Sequence, residues 1–337
     1  MIRSEPFADT LAPCYTVVMD NHSSAPVRWG VIGATSRIYR KALEPALVAC
    51  AQHVIVAEAS RADGSEQPYA DLLSRRDVDA VYIPLPNSGH KRWILAALEA
   101  GKHVLCEKPL TMSTADTLEV FDAADAVDRV LIEAYMWPHH PRARRILQLV
   151  ADGAVGDLTT VRGVFTYVGD PADHRFDERG AGALFDVGIY CLAPPMLMVG
   201  RDHVAVAAVA QRNDVGVDVA MTGLVDWGRG ISTTFDVSFQ APPRRVLEIT
   251  GTEGVITVPG WHAPGPETPS QILIQRRDDS IETVDVEGSS AFVGMVDQFA
   301  AVVRGEATAV FGRTESERLA RLIDALHAAS VAPGGVH

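Results

Sequence analysis

The feature that most constrains this chain is a regular alternation of short apolar runs and helical segments between residues 27 and 134. The first apolar run, residues 27–33, ends in Gly33, which is typical of a buried parallel strand that enters a tight turn. Further apolar runs lie at residues 54–59, 80–84, 103–106 and 130–134, and helical periodicity lies at residues 38–51, 89–100 and 113–126. This order predicts a Rossmann-type, doubly wound parallel sheet with helices on both faces.

The pattern changes after about residue 150, where strand-like runs follow one another with few helices between them. These runs lie at residues 159–168, 203–212, 217–227, 230–238, 245–251, 255–258 and 271–276. One helix is predicted after Ser289 and another over residues 314–329. We therefore expect an N-terminal arm (1–26), a dinucleotide-binding domain (27–150) and a C-terminal α+β domain (151–337) with a large, mostly antiparallel sheet.

Charge and composition exclude several classes of function. The chain has 43 acidic and 30 basic residues and a net charge of −13, and no basic patch stands out, so a nucleic-acid partner is not expected. No apolar run approaches the roughly 20 residues that cross a bilayer, and no export signal begins the sequence, so we expect no membrane association and a cytoplasmic location. Cys14, Cys50, Cys106 and Cys191 lack metal-ligand spacing, and no metal site is predicted.

The segment from Gly33 to Ile38 lies where the first strand meets the first helix. Backbone amides and the helix dipole at such a turn can hold a pyrophosphate, and the residues predicted to bind a dinucleotide here are Gly33, Thr35, Ser36, Arg37 and Ile38. The glycine fingerprint is incomplete, because Gly33 is followed by Ala-Thr-Ser and the later glycines are missing. The alternative interpretation is an ordinary strand-to-helix turn capped by Thr35 or Ser36.

The second strand ends at Ser60 and Arg61, near the position expected for the adenosine ribose. A hydroxyl beside a guanidinium suits the 2′-phosphate of NADP, whereas a carboxylate would accept from the free 2′-hydroxyl of NAD. NADP is therefore the predicted cofactor, and NAD is the less favoured one. Two alternatives stay open: Arg61 is a surface arginine, or a shifted strand register brings Glu58 to the ribose.

Two distant segments carry residue types suited to proton transfer. Lys108 follows a buried strand at the sheet edge where doubly wound folds bind their ligands. Asp186 and Tyr190 lie four residues apart on a predicted helix and share one of its faces. Each segment also has a structural interpretation, in which Lys108 is a solvated loop residue, Asp186 pairs with a helix dipole and Tyr190 is a core residue.

Three segments together resemble the family of glucose-fructose oxidoreductase and inositol dehydrogenase (Gfo/Idh/MocA), and the similarity runs from about residue 27 to residue 329. They are residues 81–90 (VYIPLPNSGH), 100–110 (AGKHVLCEKPL) and 182–190 (GALFDVGIY). In that family the lysine of Glu-Lys-Pro and an Asp-x-x-x-His/Tyr pair form the catalytic centre, so the resemblance implies catalytic roles for Lys108, Asp186 and Tyr190. It also implies cofactor contacts from Pro84, Leu85, Pro86, Asn87, His90, Glu107 and Lys108.

Tyr190, where many relatives have histidine, is similar to the branch that contains glucose-fructose oxidoreductase, xylose dehydrogenases, dihydrodiol dehydrogenases and nucleotide-sugar 3-ketoreductases. One departure concerns the region after Arg61, which looks about a dozen residues short compared with family members. The dinucleotide-binding domain is therefore expected to lack most of one helix and an edge strand.

The resemblance implies hydride transfer between NADP and a carbinol or carbonyl carbon of a sugar-like or cyclic polyol substrate. Tyr190 would exchange the proton, and the Lys108 ammonium would lower the pKa of the phenol. The side chains expected around the substrate are Trp137, Tyr167, His174, Arg175 and Asp186. Two other functions stay open, a non-catalytic dinucleotide-sensing regulator and an NAD-dependent glycosidase. A homodimer or homotetramer is expected, because a sheet covered on one face needs a partner for the other.

Overall fold

The computed structural model describes residues 25–260 and 268–331. The predicted arm, except for its last two residues, lies outside this part of the chain. The N-terminal half forms a five-stranded parallel sheet in the order β2-β1-β3-β4-β5. Its strands are β1 (Val27–Ile32), β2 (His53–Ala59), β3 (Ala80–Ile83), β4 (His103–Cys106) and β5 (Leu131–Glu133). This sheet confirms the predicted Rossmann-type architecture.

The central strands of this sheet are buried on both faces because their side chains alternate between two apolar clusters. Trp29 and Val31 of β1 belong to one cluster, which continues into the core of the second half of the chain. Ile32 of β1 and Val81 of β3 belong to the other cluster, on the opposite face. Successive side chains of a strand point to opposite faces, so continuous apolar runs are what a sheet covered on both sides requires.

Eight α-helices lie in the described parts of the chain. They are α1 (Glu44–Val48), α2 (Gln67–Leu73), α3 (His90–Glu99), α4 (Thr114–Ala126), α5 (Pro141–Ala151), α6 (Ile189–Val199), α7 (Ala291–Val303) and α8 (Arg313–Val331). A π-helical turn, Tyr39–Leu43, precedes α1, and another, Leu184–Gly188, precedes α6. The sequence pattern does not predict α5. This helix begins at Pro141, and proline is favoured at the first position of a helix. His140 caps it, because its Nδ1 accepts a hydrogen bond from the Arg142 amide.

The segment after Arg61 keeps a helix but no further edge strand among the described residues. The seven-residue α2 connects β2 directly to β3 on the other side of β1, and β2 forms the edge of the sheet. The predicted shortening of this region relative to the family stays a prediction, and the helix that the structure places here has seven residues.

The second half of the chain is built on an eight-stranded sheet in the order β13-β12-β11-β10-β6-β9-β8-β7. Its strands are β6 (Leu158–Val168), β7 (Ala205–Arg212), β8 (Asp218–Asp226), β9 (Ser232–Ser238), β10 (Gln240–Gly251), β11 (Gly254–Pro259), β12 (Ser270–Arg276) and β13 (Ile281–Val286). Only β6 and β9 pair in parallel, so the prediction of a large, mostly antiparallel sheet is confirmed. The sequence pattern misses β13, because this edge strand is largely exposed and carries two acidic residues, Glu282 and Asp285.

Helices cover one face of the large sheet. Helix α8 packs on β7, and α6 packs on β6 and β9. On the opposite face, Val209 of β7 and Leu224 of β8 are 72% and 42% exposed. Across the described ranges, none of the helices combines the length and the apolar character that a membrane span needs.

Candidate active site

An open cleft of about 820 Å³ lies between the two halves of the chain. Loops that follow β1, β2, β3 and β4 form one wall, and β6, β10 and the start of α6 contribute to the other. The predicted site residues that line it are Gly33, Thr35, Ser36, Arg37, Ile38, Ser60, Arg61, Pro84, Leu85, Pro86, Asn87, Glu107, Lys108, Tyr167, His174, Arg175, Asp186 and Tyr190. Parallel sheets bind ligands at the carboxyl ends of their strands, and the cleft occupies that position.

Lys108 and Asp186 form an ion pair across the cleft. Lys108 Nζ lies 3.1 Å from Asp186 Oδ1 and donates to the main-chain oxygen of Asp186 at 2.7 Å. Only 13% of the Lys108 side chain and 17% of the Asp186 side chain are exposed. Burial disfavours both charges, but Asp186 raises the pKa of Lys108, and Lys108 with Arg175 lowers the pKa of Asp186. Both groups are therefore charged at neutral pH.

Tyr190 lies directly against this pair. Lys108 Nζ is 5.0 Å from the centroid of the Tyr190 ring. Burial raises the pKa of Tyr190, and the Lys108 charge opposes this increase without cancelling it. The expectation that the phenol pKa falls below its ordinary value is therefore wrong for this state of the protein. Tyr190 is therefore protonated at neutral pH.

Asp186 also holds the side chains that extend the site along the cleft. Tyr167 donates its hydroxyl to Asp186 Oδ2 at 3.1 Å, and Arg175 Nε lies 3.1 Å from the same oxygen. Asp173 pairs with Arg175 at 2.8 Å and lies 3.1 Å from His174 Nδ1. The carboxylate of Asp186 is thus fixed by three donors from three parts of the chain.

The turn that leads into the π-helical turn at Leu184–Gly188 is fixed by Asp218 on β8, a residue that the sequence pattern does not single out. Its Oδ2 accepts from the Leu184 amide at 2.8 Å. Gly182 has a φ of +91°, and a Cβ there would lie 2.5 Å from Asp218 Oδ1, so the close approach requires glycine. Burial raises the pKa of Asp218 to about 6. A π-helical turn at Asp186 is a local irregularity of the kind that occurs often at functional sites.

The turn that begins at Gly33, where the sequence predicts pyrophosphate binding, is a close approach between two backbone segments. Gly33 has a φ of +95°, and a Cβ at this position would lie 2.8 Å from Leu85 Cδ2. The backbone therefore approaches the next loop closely, and only glycine fits. Thr35 and Arg37 are exposed on the cleft side, where their side chains are free to meet an anion.

Ser60 and Arg61 lie at the rim of the cleft where β2 ends. Arg61 is 56% exposed, and its guanidinium contacts Glu66 Oε1 at 3.1 Å. Glu58 points elsewhere, because its Oε1 accepts from the Tyr39 hydroxyl at 2.6 Å and pairs with Arg40 at 2.8 Å. The alternative register that brings Glu58 to the ribose does not agree with this arrangement.

Two predicted contact residues do not line the cleft. His90 is fully buried, and its ring nitrogens lie 2.9 Å from the Pro109 carbonyl oxygen and 2.8 Å from that of Leu85. It holds two cleft loops together and does not reach the cofactor site. Trp137 is 1% exposed and belongs to the apolar core, so its side chain does not face the cleft. The sequence alone does not show whether a large aromatic side chain faces a cleft or the core behind it.

Several cleft residues are not singled out by the sequence pattern. Phe165, Asp173, Arg245 and Phe292 all line the cleft. Phe165 lies on β6, Asp173 in the loop after it, Arg245 on β10 and Phe292 in the first turn of α7, and no local motif marks them. Only the pairing of β6 with β10 brings Phe165 and Arg245 side by side.

A cluster of Cys50, His53 and Asp297 lies apart from the cleft residues, with potential ligand atoms within 4.8 Å of one another. Trp29 Nε1 donates to His53 Nδ1 at 3.2 Å, and an indole N–H can only donate. The proton of the neutral His53 ring therefore lies on Nε2, which faces Asp297 Oδ1 at 3.1 Å. This tautomer offers no free lone pair to a cation, and we assign no metal to the cluster.

Comparisons with known proteins agree with this geometry. A family model described as an oxidoreductase family with an NAD-binding Rossmann fold matches residues 27–135, and the GFO/IDH/MocA C-terminal domain matches residues 143–257. The chain is 31% identical to D-xylose 1-dehydrogenase (NADP(+)) 2 of Haloferax volcanii, over 89% of this chain and 96% of that protein. It is 33% identical to a dTDP-3,4-didehydro-2,6-dideoxy-alpha-D-glucose 3-reductase of Actinomadura kijaniata, over 91% and 97% of the two chains.

A solved structure is similar over nearly the whole chain. It is that of a 3-ketoreductase from Actinomadura kijaniata in complex with NADP and TDP-benzene, with a TM-score of 0.84 and 30% identity, and the match covers 90% of this chain and 98% of that one. Sequence, fold and the position of the cleft lead to the same conclusion. The chain belongs to the GFO/IDH/MocA family of oxidoreductases.

Proposed function

We propose that the protein is an NADP-dependent oxidoreductase that transfers a hydride between the nicotinamide and a carbinol or carbonyl carbon of a sugar-like substrate. The observation that carries the proposal is the contact of Lys108, Asp186 and Tyr190 in one cleft that also contains the glycine turn at Gly33. NADP, when bound, supplies or accepts the hydride. The remaining chemistry is a proton transfer at the substrate oxygen, and this chain provides the groups for it.

Tyr190 is the proposed proton donor to a carbonyl oxygen that is being reduced. The phenol is protonated at neutral pH, because burial raises its pKa. Lys108 places a positive charge beside the ring and stabilises the phenolate that forms when the proton leaves. In the oxidative direction Tyr190 would first lose its proton to solvent, and the phenolate beside the Lys108 charge would then accept the proton of the substrate hydroxyl. Asp186 holds Lys108 in place and offers a carboxylate to a second substrate hydroxyl.

The cofactor preference is proposed from the rim of the cleft. Ser60 and Arg61 offer a hydroxyl and a guanidinium, both suited to a 2′-phosphate, and Glu58 is engaged by Tyr39 and Arg40. Two relatives also support NADP as the cofactor. The xylose dehydrogenase carries NADP(+) in its name, and the structure of the 3-ketoreductase contains NADP. One relative is named as a dehydrogenase of D-xylose and another as a reductase of a dTDP-linked dideoxyglucose, and both names support a sugar-like substrate.

The test of this function is Tyr190→Phe, which keeps the ring and removes only the hydroxyl. We expect turnover on an accepted pyranose, ketosugar or diol to fall by roughly 10²-fold or more, the scale of a lost general acid or base, while NADPH affinity stays near the wild-type value. Steady-state kinetics and a fluorescence titration measure the two quantities. Near-normal turnover would remove Tyr190 from the proton transfer and make His174 the next donor to test.

A dinucleotide-sensing regulator is the second candidate, and the short α2 at the adenosine side of the cofactor domain is the observation that favours it. A sensor has no need for a charged lysine and a phenol in contact. Tight NADPH binding without hydride transfer on a broad panel of sugars and diols would favour the sensor.

We also infer that the chain self-associates through the outer face of its large sheet. Ala207 and Val209 of β7 pair with Leu224 and Thr222 of β8, and this apolar patch has no covering helix in the described parts of the chain. Light scattering of the wild type should give a dimer or tetramer at micromolar concentration. Val209→Glu combined with Leu224→Glu should shift it toward the monomer, and a monomeric wild type would contradict the inference.

A further inference from the structure

On the wall of the cleft that β6 and β10 form, one arginine has no ion-pair partner within residues 25–260 and 268–331. Arg245 lies on β10 opposite Phe165 of β6, and its guanidinium carbon lies 5.1 Å from the centroid of the Phe165 ring. Its Nε is buried and has no hydrogen-bond partner. Among the residues that the structure describes, no carboxylate forms an ion pair with Arg245, although the side chain lines the cleft.

The two cations nearest to Tyr190 and Asp186 are each paired with a carboxylate. Lys108 pairs with Asp186, and Arg175 pairs with both Asp173 and Asp186. A guanidinium that is partly removed from water without a partner is costly, so a cleft with such a group favours a ligand that supplies the missing charge. The Phe165 ring supports the guanidinium plane through a cation–π contact and leaves its N–H groups to form paired hydrogen bonds with an oxyanion.

The position of this arginine fixes which part of a substrate it would meet. The centroid of Phe165 lies 5.5 Å from that of Tyr190, so only one aromatic ring separates Arg245 from the proposed proton donor. A sugar whose reacting carbon lies at Tyr190 would place a substituent from the far side of its ring near Arg245. We propose that Arg245 and Phe165 form a subsite for an anionic substituent of the substrate, a phosphate or a carboxylate.

This inference rests on the proposed function, because it takes the reacting carbon to lie at Tyr190. It narrows the substrate class to glycosyl phosphates, nucleoside diphosphate sugars and sugar acids, and it disfavours neutral monosaccharides. The cofactor phosphates belong to the opposite wall, at Gly33 and Arg61. NADPH affinity should therefore be insensitive to substitution of Arg245.

The experiment compares D-glucose, D-glucose 1-phosphate and D-glucuronate as ligands of the NADP⁺-saturated protein by calorimetry. We expect at least one anionic sugar to bind roughly tenfold to hundredfold more tightly than D-glucose, the range of a charge-assisted hydrogen-bonded pair. Arg245→Met, which keeps an apolar side chain over Phe165, should remove this preference, and Arg245→Lys should keep part of it. The comparison of D-glucose 1-phosphate with D-glucuronate shows whether the subsite prefers a phosphate or a carboxylate.

Arg244→Met is the matched control. Arg244 is the preceding residue on β10, pairs with Asp236 at 2.7 Å and is 45% exposed, so this change removes the same charge without touching the cleft. Equal binding of all three sugars, or the same loss of preference in Arg244→Met, would overturn the subsite. An anion preference that depends on Arg245, in a protein that shows no hydride transfer, supports the subsite and counts against the proposed function instead.

Discussion

The two ends of the cleft are built in opposite ways. At the catalytic end, Lys108 and Asp186 are largely buried and already paired. At the cofactor end, Thr35 and Arg37 are exposed, and Arg61 has a single surface contact with Glu66. The charges proposed for catalysis are held in position before any ligand arrives, whereas the groups proposed to bind the cofactor remain in water.

This difference reflects the work that each end has to do. A group that stabilises charge during a reaction is most effective when it is already oriented and no longer has to shed water. A group that binds a highly charged cofactor can exchange water for phosphate, so little is lost by leaving it solvated. We therefore expect substitutions at the catalytic end to have large effects that depend on one another, and those at the cofactor end to have small and separable effects.

The largest expected effect is that of Lys108→Ala. Turnover should fall by roughly 10²-fold or more, because the change removes the positive charge beside Tyr190 and the donor to Asp186. The double variant with Tyr190→Phe should be far less impaired than the product of the two single effects, since the two residues act as a unit. Lys91→Ala, which removes a surface ion pair with Asp116, serves as the control. Multiplicative effects in the kinetics of the double variant would show that the two residues act independently.

A smaller effect is expected for stability at Asp218. Burial raises the pKa of this carboxyl to about 6 from its ordinary value of 3.8, so the folded protein binds more protons than the unfolded chain between these values. The contribution of Asp218 to the free energy of unfolding therefore decreases as pH rises from about 4 to about 6. Asp218→Asn should gain up to about 3 kcal/mol relative to the wild type over this interval and keep that advantage at higher pH.

Denaturant titrations of both proteins from pH 4 to pH 8 measure this difference. The exposed Asp214→Asn should show the same pH dependence as the wild type and serves as the control. A constant difference between Asp218→Asn and the wild type over this range would mean that Asp218 titrates normally.

The smallest effect is expected at the cofactor end. Arg61→Ala should weaken NADPH binding about threefold to tenfold, as for one solvated ionic contact, and leave NADH binding unchanged. Fluorescence titrations with both cofactors give the two affinities. Arg76→Ala, at an exposed position outside the cleft, provides the matched control. An equal loss for NADPH and NADH would show that Arg61 does not contact the 2′-phosphate.

The fold follows from the sequence where periodicity is strong. The continuous apolar runs of β1, β3 and β4 predict buried parallel strands, because a strand covered on both faces has no polar side. The edge strand β13 escapes prediction because its side chains are mostly solvated. Helix α5 escapes because its buried face includes Arg142, whose guanidinium donates to the Pro259 and Gly260 carbonyl oxygens. Such a charged core residue breaks the apolar pattern.

The site is predictable to the extent that it lies on contiguous motifs. Lys108, Asp186 and Tyr190 each belong to a short segment with a recognisable pattern, and the fold brings them into contact. The positions of Arg245 and Asp218 in the site depend on strand pairing, and no local sequence motif indicates that pairing. The protonation state of Tyr190 also depends on burial, and burial is a property of the assembled cleft.

The ion pair between Lys108 and Asp186 joins the two halves of the chain, since Lys108 follows β4 and Asp186 precedes α6. The halves are linked at a second point, where Asn87 Nδ2 donates to the Gly180 carbonyl oxygen at 2.7 Å. Each half therefore carries only part of the proposed proton-transfer site. A chimera that joins this cofactor domain to a foreign substrate domain would need an incoming aspartate and main-chain oxygen at the same place to hold Lys108. Recombination can therefore exchange the substrate domain only for a domain that also supplies these two partners of Lys108.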